Sequence, residues 1–281
     1  MLEPFEAVID FTFYEMTWDL QPGPEELSRI GAGESVLICD YFGRSVPSST
    51  SLAIEEARSR GVVVLSDTTH SPFTPPTWSF DLAIISLRKT LPIHDGAILV
   101  GALAHPPPEF EAVDESRIAA REAMAARKAS LVAAGTDSGD EAAGLRDFEN
   151  YLQTLDKPTA MSRKSRSIID ALNFEIIANR RRANADELLN RVEQINAVRA
   201  LPDYSRTIVP AFITCQVSDA RTVQQALSKQ GIFCPVHWPR PDQLAATPWR
   251  NDLISLPIDH RYDRDDMVRI SSALQHHLED A

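Results

Sequence analysis

The chain has 281 residues, a mass of 31.2 kDa and a formal net charge of −12, because 28 Lys and Arg face 40 Asp and Glu. This acidic balance weighs against nucleic acid and against an anionic membrane surface as partners. No run approaches the ~18 apolar residues of a membrane span, and Glu3, Glu6 and Asp10 stand where a signal peptide would carry positive charge. We therefore expect a cytoplasmic protein with one large domain and a smaller one.

The cysteines and histidines give no sign of a disulfide framework or a metal centre. Cys39, Cys215 and Cys234 are odd in number, scattered, and set in apolar, strand-like stretches. This pattern indicates buried free thiols in a reducing compartment. The seven His residues show no ligand spacing with Cys or acidic residues, so no metal site is predicted.

The first hundred residues predict alternating strands and helices. Val8–Leu20 alternates in the manner of a half-buried strand or hairpin. Val36–Tyr41 is typical of a buried strand, and Leu52–Arg60 of an amphipathic helix that Gly61 closes. A strand, a helix and a strand in this order form a right-handed βαβ unit, which indicates an α/β fold with a mostly parallel sheet. Further short apolar runs, bounded by Gly, Pro or polar residues, indicate buried strands at Val62–Leu65, Leu82–Ile85 and Ala97–Val100.

The later part of the chain predicts helices followed by a small α+β unit. Two helical segments precede Ser162, which is expected to cap one long helix that runs to about Ile195. An Arg180-Arg181-Arg182 run lies on that helix. It could form an anion site, but a solvated helix face is favoured, because acidic residues follow it. From Thr207 the order strand, helix, strand, strand, helix is predicted.

Polar side chains follow two neighbouring predicted strands. Asp67 and His70 come after the strand that begins at Val62, and Ser86 and Lys89 come after the next one. Because ligands bind where the carboxyl ends of parallel strands meet a crevice, these groups are expected around a single cavity. Taken singly, each has an ordinary explanation: a turn or helix cap for the Asp, solvation for the Lys and the His. Their order and their common placement favour a site.

At these residues the sequence resembles the fold-type-I pyridoxal 5'-phosphate (PLP) enzymes, and within them the DegT/DnrJ/EryC1/StrS aminotransferases. Asp67 matches the family Asp that pairs with the pyridine nitrogen, and His70 matches the His or Gln near the ring hydroxyl. Ser86 matches a Ser that contacts the cofactor phosphate, and Lys89 matches the Lys that forms the Schiff base. The resemblance therefore implies PLP as the cofactor, bound by Asp67, His70, Ser86 and Lys89, with Lys89 as the catalytic residue.

The chemistry of PLP explains why these residue types are wanted. A lysine amine holds the cofactor and later moves the substrate's α-proton, for which its pKa must fall below the ~10.4 of a free lysine. Desolvation and nearby cations lower the pKa of an amine in this way. A carboxylate against the ring nitrogen keeps that nitrogen protonated, so that the ring can accept electrons.

The resemblance also implies a function and a domain organisation. It covers nearly all of this chain but only the later part of a typical member, so the chain is expected to be an N-terminally truncated member whose large-domain sheet is incomplete. The expected division is a partial PLP-binding large domain (1–160), a long connecting helix (161–200) and a small α+β domain (201–281).

The implied activity is transfer of an amino group, from an amino donor, to a keto group of a sugar-nucleotide or a related small keto substrate. The family's Gly-Ser/Thr-x-Ala segment, which grips the cofactor phosphate at a helix N-terminus, has no equivalent here. A homodimer, or a heteromer with a chain that supplies the missing segment, is therefore expected. The alternative is a non-catalytic or split-enzyme subunit of the same fold that needs a partner chain to complete the PLP site.

Two segments near the C-terminus resemble family segments that lie near the substrate mouth. They are Pro235–Pro239 (PVHWP) and Leu256–Tyr262 (LPIDHRY). His237 and Arg261 are the candidates for contact with substrate. The alternative, that both hold the loop together, remains equally open.

Overall fold

The computed structural model describes residues 9–18, 20–43, 46–74, 76–101, 109–136, 139–155, 157–201, 208–238, 240 and 249–279. Within these ranges the chain forms eight α-helices and two four-stranded sheets. The predicted α/β fold is confirmed, with a mostly parallel sheet in the first part of the chain and an α+β unit in the last part. The boundaries of the domain division stay a prediction.

The first sheet has the strand order β1-β2-β3-β4. β1 and β2 are parallel, β2 and β3 are parallel, and β4 runs antiparallel to β3. Helix α2 (Ser48–Ser59) makes the crossover from β1 to β2 and ends just before Gly61, as predicted. The strands are β1 Ser35–Cys39, β2 Val63–Asp67, β3 Leu82–Ser86 and β4 Ala97–Gly101.

One face of this sheet packs against helices. Val36 and Ile38 of β1 and Val64 of β2 alternate along their strands, and each is at most 4% exposed. They form one apolar cluster with residues of α1 (Pro24–Ser28), of α2 and with Trp78. Alternate side chains of a strand point to the same side, so these residues form one continuous apolar face. Its packing against the helices stabilises the parallel strands.

The opposite face of the sheet is open. Val63, Ile84 and Leu99 lie on it and are 39%, 44% and 40% exposed. We call these three residues the open sheet face. Asp67 pairs in register with Ile84, and Ser86 lies two residues further along β3, so both belong to the same side of the sheet. Every residue of the edge strand β4 is exposed.

Four helices follow the first sheet, and they correct one prediction. The long helix expected from Ser162 to about Ile195 is two helices, because Leu172 is extended (ψ 137°) and interrupts it. The Asn173 side chain then accepts a hydrogen bond from the Ile176 N–H at 3.1 Å and starts a new helix. The four helices are α3 Glu115–Ala133, α4 Gly139–Gln153, α5 Arg163–Ala171 and α6 Phe174–Val192.

The second sheet is antiparallel, with the order β5-β6-β8-β7. It carries the core of the last part of the chain, in which Ile213, Ile254 and Leu256 are fully buried against helices α6, α7 and α8. The predicted order of strand, helix, strand, strand and helix is confirmed. The elements are β5 Arg199–Ala200, β6 Phe212–Gln216, α7 Ala220–Lys229, β7 Val236–His237, β8 Leu253–Pro257 and α8 Arg264–Glu279.

The N-terminal segment differs from its prediction. The described part of Val8–Leu20 contains no strand, only an isolated bridge between Met16 and Pro22. Proline has no N–H to give to a ladder, and Pro22 and Pro24 stop this segment from extending into a hairpin. The three cysteines are free thiols; Cys215 and Cys234 are buried and Cys39 is half-buried.

Candidate active site

The carboxyl ends of β2 and β3 meet through one side chain. Asp67 ends β2 and is 8% exposed, and its Oδ1 accepts the Thr69 N–H at 2.9 Å. The Thr69 Oγ1 in turn accepts the N–H of Ser86, the last residue of β3, at 3.1 Å. Thr69 therefore ties the two predicted site residues together. It had no role in the sequence-based prediction, although a hydroxyl directly after a strand is the available signal.

Lys89 ends a tight 3₁₀ turn, Leu87–Lys89, that follows β3 directly. The turn is anchored by the buried Leu87, whose N–H donates to the Gly96 carbonyl at 3.1 Å. The N–H groups of Thr90 and Leu91 both donate to the Leu87 carbonyl, at 3.1 and 2.9 Å. The Lys89 side chain is exposed at the end of this turn.

The surroundings of Lys89 lower the pKa of its amine. Partial burial of the amine is the main cause, even though the side chain as a whole is exposed, and the Arg88 and Arg121 guanidinium groups act in the same direction. The carboxylates of Glu149 and Asp67 oppose them. A lysine that acts as a nucleophile and as a base needs a pKa lowered in this direction.

A cluster of charged side chains supports the turn Leu87–Lys89, which we call the lysine turn. The Arg88 guanidinium donates to both oxygens of Glu149, at 2.8 and 2.7 Å, and Arg121 Nη2 donates to the same carboxylate at 3.2 Å. Arg121 Nη1 also lies 2.9 Å from His94 Nδ1. Glu149 thus connects α3 and α4 to the turn that carries Lys89. Sequence reasoning missed this cluster, because Arg88 and Glu149 are 61 residues apart.

His70 is held by the turn Tyr41–Gly43, which follows β1. Its Nδ1 accepts the Phe42 N–H at 3.3 Å, and its ring stacks on the Phe42 ring with centroids 5.3 Å apart. Burial lowers the pKa of His70; the Asp67 carboxylate raises it and the Lys89 amine lowers it further. The imidazole is therefore neutral at pH 7, and Nε2 carries its proton because Nδ1 is an acceptor. Asp67 and Lys89 are close enough to His70 for their charges to affect its pKa.

A glycine beside His70 allows the two sheets to approach. Gly43 has a left-handed backbone conformation, with φ +66°. A Cβ at this position would stand 3.0 Å from the His70 carbonyl oxygen and 3.3 Å from the Val209 carbonyl oxygen. Only glycine fits both the conformation and the space.

His237 lies in the interior next to the same aromatic ring. It is 7% exposed, its Nε2 is 2.8 Å from Ser255 Oγ, and its ring centroid is 4.9 Å from that of Phe42. Burial, with a smaller contribution from His70, lowers the pKa of His237 to about 4. His237 therefore reaches the candidate site through Phe42 and His70, and its substrate role stays a prediction. Pro239, the last residue of the PVHWP segment, lies outside the described residues.

Arg261 lies on the surface, and its side chain is 66% exposed. Its Nε donates to Asp259 Oδ1 at 2.6 Å, and this hydrogen bond raises the pKa of the guanidinium. No hydrogen bond or ion pair joins Arg261 to His237 in the described part of the chain. The structure thus gathers Asp67, His70, Ser86 and Lys89, places His237 behind them, and leaves Arg261 apart.

The Arg180-Arg181-Arg182 run is not a uniformly solvated face. Arg180 is exposed and Arg182 is half-buried, but Arg181 is 2% exposed. Arg181 donates two hydrogen bonds to backbone carbonyls and one to Asp259. A buried guanidinium requires such partners, because an unpaired buried charge is costly. The prediction of a solvated face is therefore wrong at this position.

A cavity of about 410 Å³ lies elsewhere in the described part of the chain, and residues 87–89 do not line it. It is lined by Asp219, Arg221, Gln224, Val236, Trp238 and Asn251. Across the ranges that the structure describes, no group of three or more His, Cys, Asp and Glu side chains could hold a metal ion. None of the helices in those ranges combines the length and the apolar character that a membrane span requires.

The fold of this chain is similar to that of solved aminotransferases. No family model matches the sequence, and no curated protein matches it. Solved structures match with TM-scores of 0.55–0.62 and sequence identities of 11–16%. The aminotransferase TlmJ from Streptoalloteichus hindustanus has a TM-score of 0.57 at 16% identity, over 93% of this chain and 71% of that one.

Two further matches have higher TM-scores. PseC from Helicobacter pylori, an aminotransferase of pseudoaminic acid biosynthesis, has a TM-score of 0.62 at 13% identity, over 99% of this chain and 76% of that one. The sugar aminotransferase Spr1654 from Streptococcus pneumoniae, in its PLP form, has a TM-score of 0.62 at 11% identity, over 98% of this chain and 77% of that one. The chain therefore has the fold of the sugar aminotransferases of the DegT/DnrJ/EryC1/StrS type, as predicted.

Proposed function

We propose that the chain is a PLP-dependent, aminotransferase-like enzyme that transfers an amino group to a keto group of a sugar-nucleotide or a related small keto compound. The observation that carries the proposal is the placement of Asp67 and Lys89. Asp67 ends β2 and Lys89 ends the turn after the adjacent parallel strand β3, in a chain with the sugar aminotransferase fold. A crevice at the carboxyl ends of such strands is where open α/β sheets bind their ligands.

The chemistry of the side chains fits PLP. Asp67 is a buried carboxylate held through Oδ1, and it is suited to pair with a protonated pyridine nitrogen. Lys89 would hold the cofactor covalently through an amine whose pKa is lowered. His70, whose Nδ1 accepts the Phe42 N–H, would offer its Nε2–H to the ring hydroxyl, and Ser86 would contact the phosphate.

The residues of this chain then have definite tasks. Bound PLP would supply an electron sink for the carbanion that forms when the α-proton is lost. The Lys89 amine would remove the proton from the Cα of the amino donor, which leaves as a keto acid, and would return a proton on the way to the aminated product. Arg88 and Arg121 favour the uncharged amine that this step requires.

A second polypeptide is proposed to complete the site. The open sheet face, Val63, Ile84 and Leu99, lies on the same side of the sheet as Asp67 and Ser86. A chain that covers this apolar surface would therefore also close the cofactor site. The chain spans 71–77% of the three solved structures described above. The partner is proposed to be a second copy or a chain that carries the missing segment.

The cytoplasm is the proposed location. The support is the state of the cysteines, all three of which are free thiols. Free thiols are typical of a reducing compartment.

Absorption spectroscopy and chemical trapping test cofactor binding. The wild-type protein, mixed with PLP, is expected to turn yellow, and borohydride should then fix the mass of the cofactor on the Lys89 peptide. Lys89→Ala should lose both signals, because no other amine at the strand end replaces it. Lys229→Ala removes an exposed lysine at the end of α7 and should keep both. A wild-type protein that stays colourless and untagged in excess PLP, alone and with its partner, would refute the proposal.

Amino transfer has its own test. Glutamate added to the PLP-loaded protein should bleach the yellow colour and release 2-oxoglutarate, and a keto sugar-nucleotide should restore the colour as it gains the amino group. If no amino donor bleaches the colour, transamination is the wrong reaction, although the cofactor assignment stands.

The alternative is a non-catalytic subunit of the same fold. The grouping of Asp67 and Lys89 disfavours it, because packing alone gives no reason to keep a buried carboxylate beside an amine. Lys89→Ala separates the two possibilities once the partner is present. Loss of activity supports the catalytic role, and full activity with an unchanged spectrum supports the subunit.

A further inference from the structure

The buried Arg181 guanidinium connects three segments that are far apart in the sequence. Its Nη2 donates to the Thr90 carbonyl at 3.1 Å and to Asp259 Oδ2 at 2.7 Å, and its Nη1 donates to the Ala211 carbonyl at 3.3 Å. Thr90 follows the lysine turn, Ala211 precedes β6, and Asp259 follows β8. A single side chain on α6 therefore joins the end of β3 to both central strands of the second sheet.

Thr90 is the residue that follows Lys89, which makes this contact specific to the lysine turn. The carbonyl of Thr90 is held by Arg181, and its N–H closes the turn on the Leu87 carbonyl. With both peptide groups of Thr90 fixed, the backbone at Lys89 has little freedom to rotate. The direction in which the Lys89 side chain leaves the backbone is therefore fixed as well.

We infer that Arg181 is a positioning residue for Lys89. By holding the Thr90 carbonyl against Ala211 and Asp259, it fixes the lysine-bearing turn relative to the second sheet. This inference deepens the proposed function and rests on it for the role of Lys89. Arg181 acts through the backbone, and no contact joins it to the amine itself in the described part of the chain.

The geometry requires an arginine. The guanidinium is planar and presents several donors in a fixed fork, which here serve two carbonyls and one carboxylate at once. Its charge is balanced by Asp259, whose Oδ1 also accepts the Arg261 Nε at 2.6 Å. A lysine at this position would keep the charge, but it could not span the same three acceptors.

The loop after β8 is held by the same helix. One turn along α6, the Asn184 Nδ2 donates to the Asp259 carbonyl at 2.9 Å and to the Tyr262 carbonyl at 3.1 Å. This loop carries Arg261, which is expected near the substrate mouth. Arg181 and Asn184 therefore link the predicted substrate loop to the lysine turn through α6.

The pH dependence of Lys89 reactivity reports on this positioning. The charged and titratable groups near the Lys89 amine are Arg88 on its own turn, Arg121 on α3, Glu149 on α4, Asp67 at the end of β2 and His70 after it. Their effect on the amine depends on where the turn places it. A loosened turn would move the amine into water and bring its pKa back toward the ~10.4 of a free lysine.

The test compares wild type with Arg181→Lys, Arg181→Met and the matched control Arg180→Met, which alters an exposed residue of the same helix. The full-length protein without PLP is labelled with trinitrobenzenesulfonate over a range of pH, and modification of Lys89 is measured by peptide mass spectrometry. Hydrogen exchange of peptide 87–93 is measured in parallel. Both Arg181 variants should shift the Lys89 labelling midpoint to higher pH and speed amide exchange in 87–93 several-fold. Arg180→Met should change neither.

The inference is overturned if Arg181→Lys is folded and shows the wild-type midpoint and the wild-type exchange. A variant that melts earlier but keeps both would show that Arg181 is merely structural. If both Arg181 variants are insoluble, Asp259→Asn provides the test. The asparagine keeps the shape of the side chain but binds Arg181 more weakly. The labelling midpoint of Lys89 must then shift to higher pH by a smaller amount. Because labelling uses no cofactor, a wild-type chain that fails to bind PLP would refute the proposed function and leave this result intact.

Discussion

Glu149 is the anion that balances two guanidinium groups beside the Lys89 amine. Its carboxylate raises the pKa of Lys89, while Arg88 and Arg121 lower it. Glu149→Gln removes the negative charge and leaves both cations, so the pKa of Lys89 should fall further. The labelling midpoint of Lys89 should therefore move to lower pH. The free energy of unfolding should fall by about 1 kcal/mol, as expected for a lost, partly exposed ion pair.

Glu122→Gln is the matched control for Glu149→Gln. Glu122 is next to Arg121 on α3. Its carboxylate accepts hydrogen bonds from the Nζ of the exposed Lys164, at 2.5 and 2.6 Å. Glu122→Gln should leave the labelling midpoint of Lys89 at its wild-type pH. An unchanged or higher midpoint in Glu149→Gln would contradict the electrostatic account of Lys89.

His237 makes stability depend on pH in a definite window. Its pKa is about 4 in the folded chain, against 6.5 in the unfolded chain. Above pH 6.5 neither state binds the proton. Between pH 6.5 and 4 only the unfolded state binds it, so stability falls as the pH falls, by roughly 3 kcal/mol in total at ~1.4 kcal/mol per pKa unit.

Urea unfolding at several pH values between 7 and 4 measures this contribution. His237→Gln, which has no titrating ring, should lose stability less steeply over the window than wild type. His276→Gln, at an exposed position on α8, should keep the wild-type slope. Equal slopes for wild type and His237→Gln would show that the histidine is not buried in its neutral form.

The site residues that could be predicted are those whose position follows from the order of strands along the chain. Asp67, Ser86 and Lys89 follow buried apolar runs, and the direction of parallel strands brings such residues to one edge. The partners that orient them were not predictable. Glu149 reaches Arg88 across 61 residues, and Arg181 reaches Thr90 across 91. A sequence pattern carries no signal for contacts of that kind.

At the scale of elements, short apolar runs proved reliable and long periodic runs did not. Val62–Leu65, Leu82–Ile85 and Ala97–Val100 each predict a strand to within a residue or two of its ends. The helical periodicity after Ser162 continues across Leu172 and Asn173, and therefore hides the break between α5 and α6. Only the conformation of Leu172 and the cap made by Asn173 reveal it. A side chain that can cap a helix is also tolerated inside one, so the residue type alone does not decide.

At the scale of the whole molecule, the order of elements predicted two sheets but not their junction. Leu20, Phe42, Leu201 and Leu253 form a buried cluster that joins the turn after β1 to β8 of the second sheet. Phe42 adopts an uncommon left-handed conformation (φ +68°) and contacts His70, His237 and Trp238. Positive φ at a bulky residue is strained and persists only where packing holds it. Such a conformation cannot be predicted from local propensity.

The proposed partner gives a test at this scale. Leu99→Lys places a charge on the open sheet face, at a position 40% exposed in the isolated chain. The fold should tolerate it, whereas association should weaken by about tenfold or more, because a buried unpaired charge costs more than the ~1.4 kcal/mol that a factor of ten represents. Sedimentation velocity at micromolar concentration, with the chain alone and with a candidate partner, measures the change.

Phe233→Lys is the control for Leu99→Lys. Phe233 is 60% exposed and lies in the segment between α7 and β7. It should associate as wild type does. A wild-type chain that remains a monomer under all these conditions, or a Leu99→Lys variant that associates normally, would argue against a partner on the open sheet face.

The edge strand β4 has a practical consequence for preparing the protein. Ala97–Gly101 carries no charged side chain, and both of its faces are exposed. Identical uncharged strand edges can pair with one another, so concentrated samples should become turbid with time. The net charge of −12 keeps the chains apart best at low salt, where screening is weakest. Clear samples are therefore expected from dilute, low-salt buffers above neutral pH, or from co-expression with a partner that covers the strand.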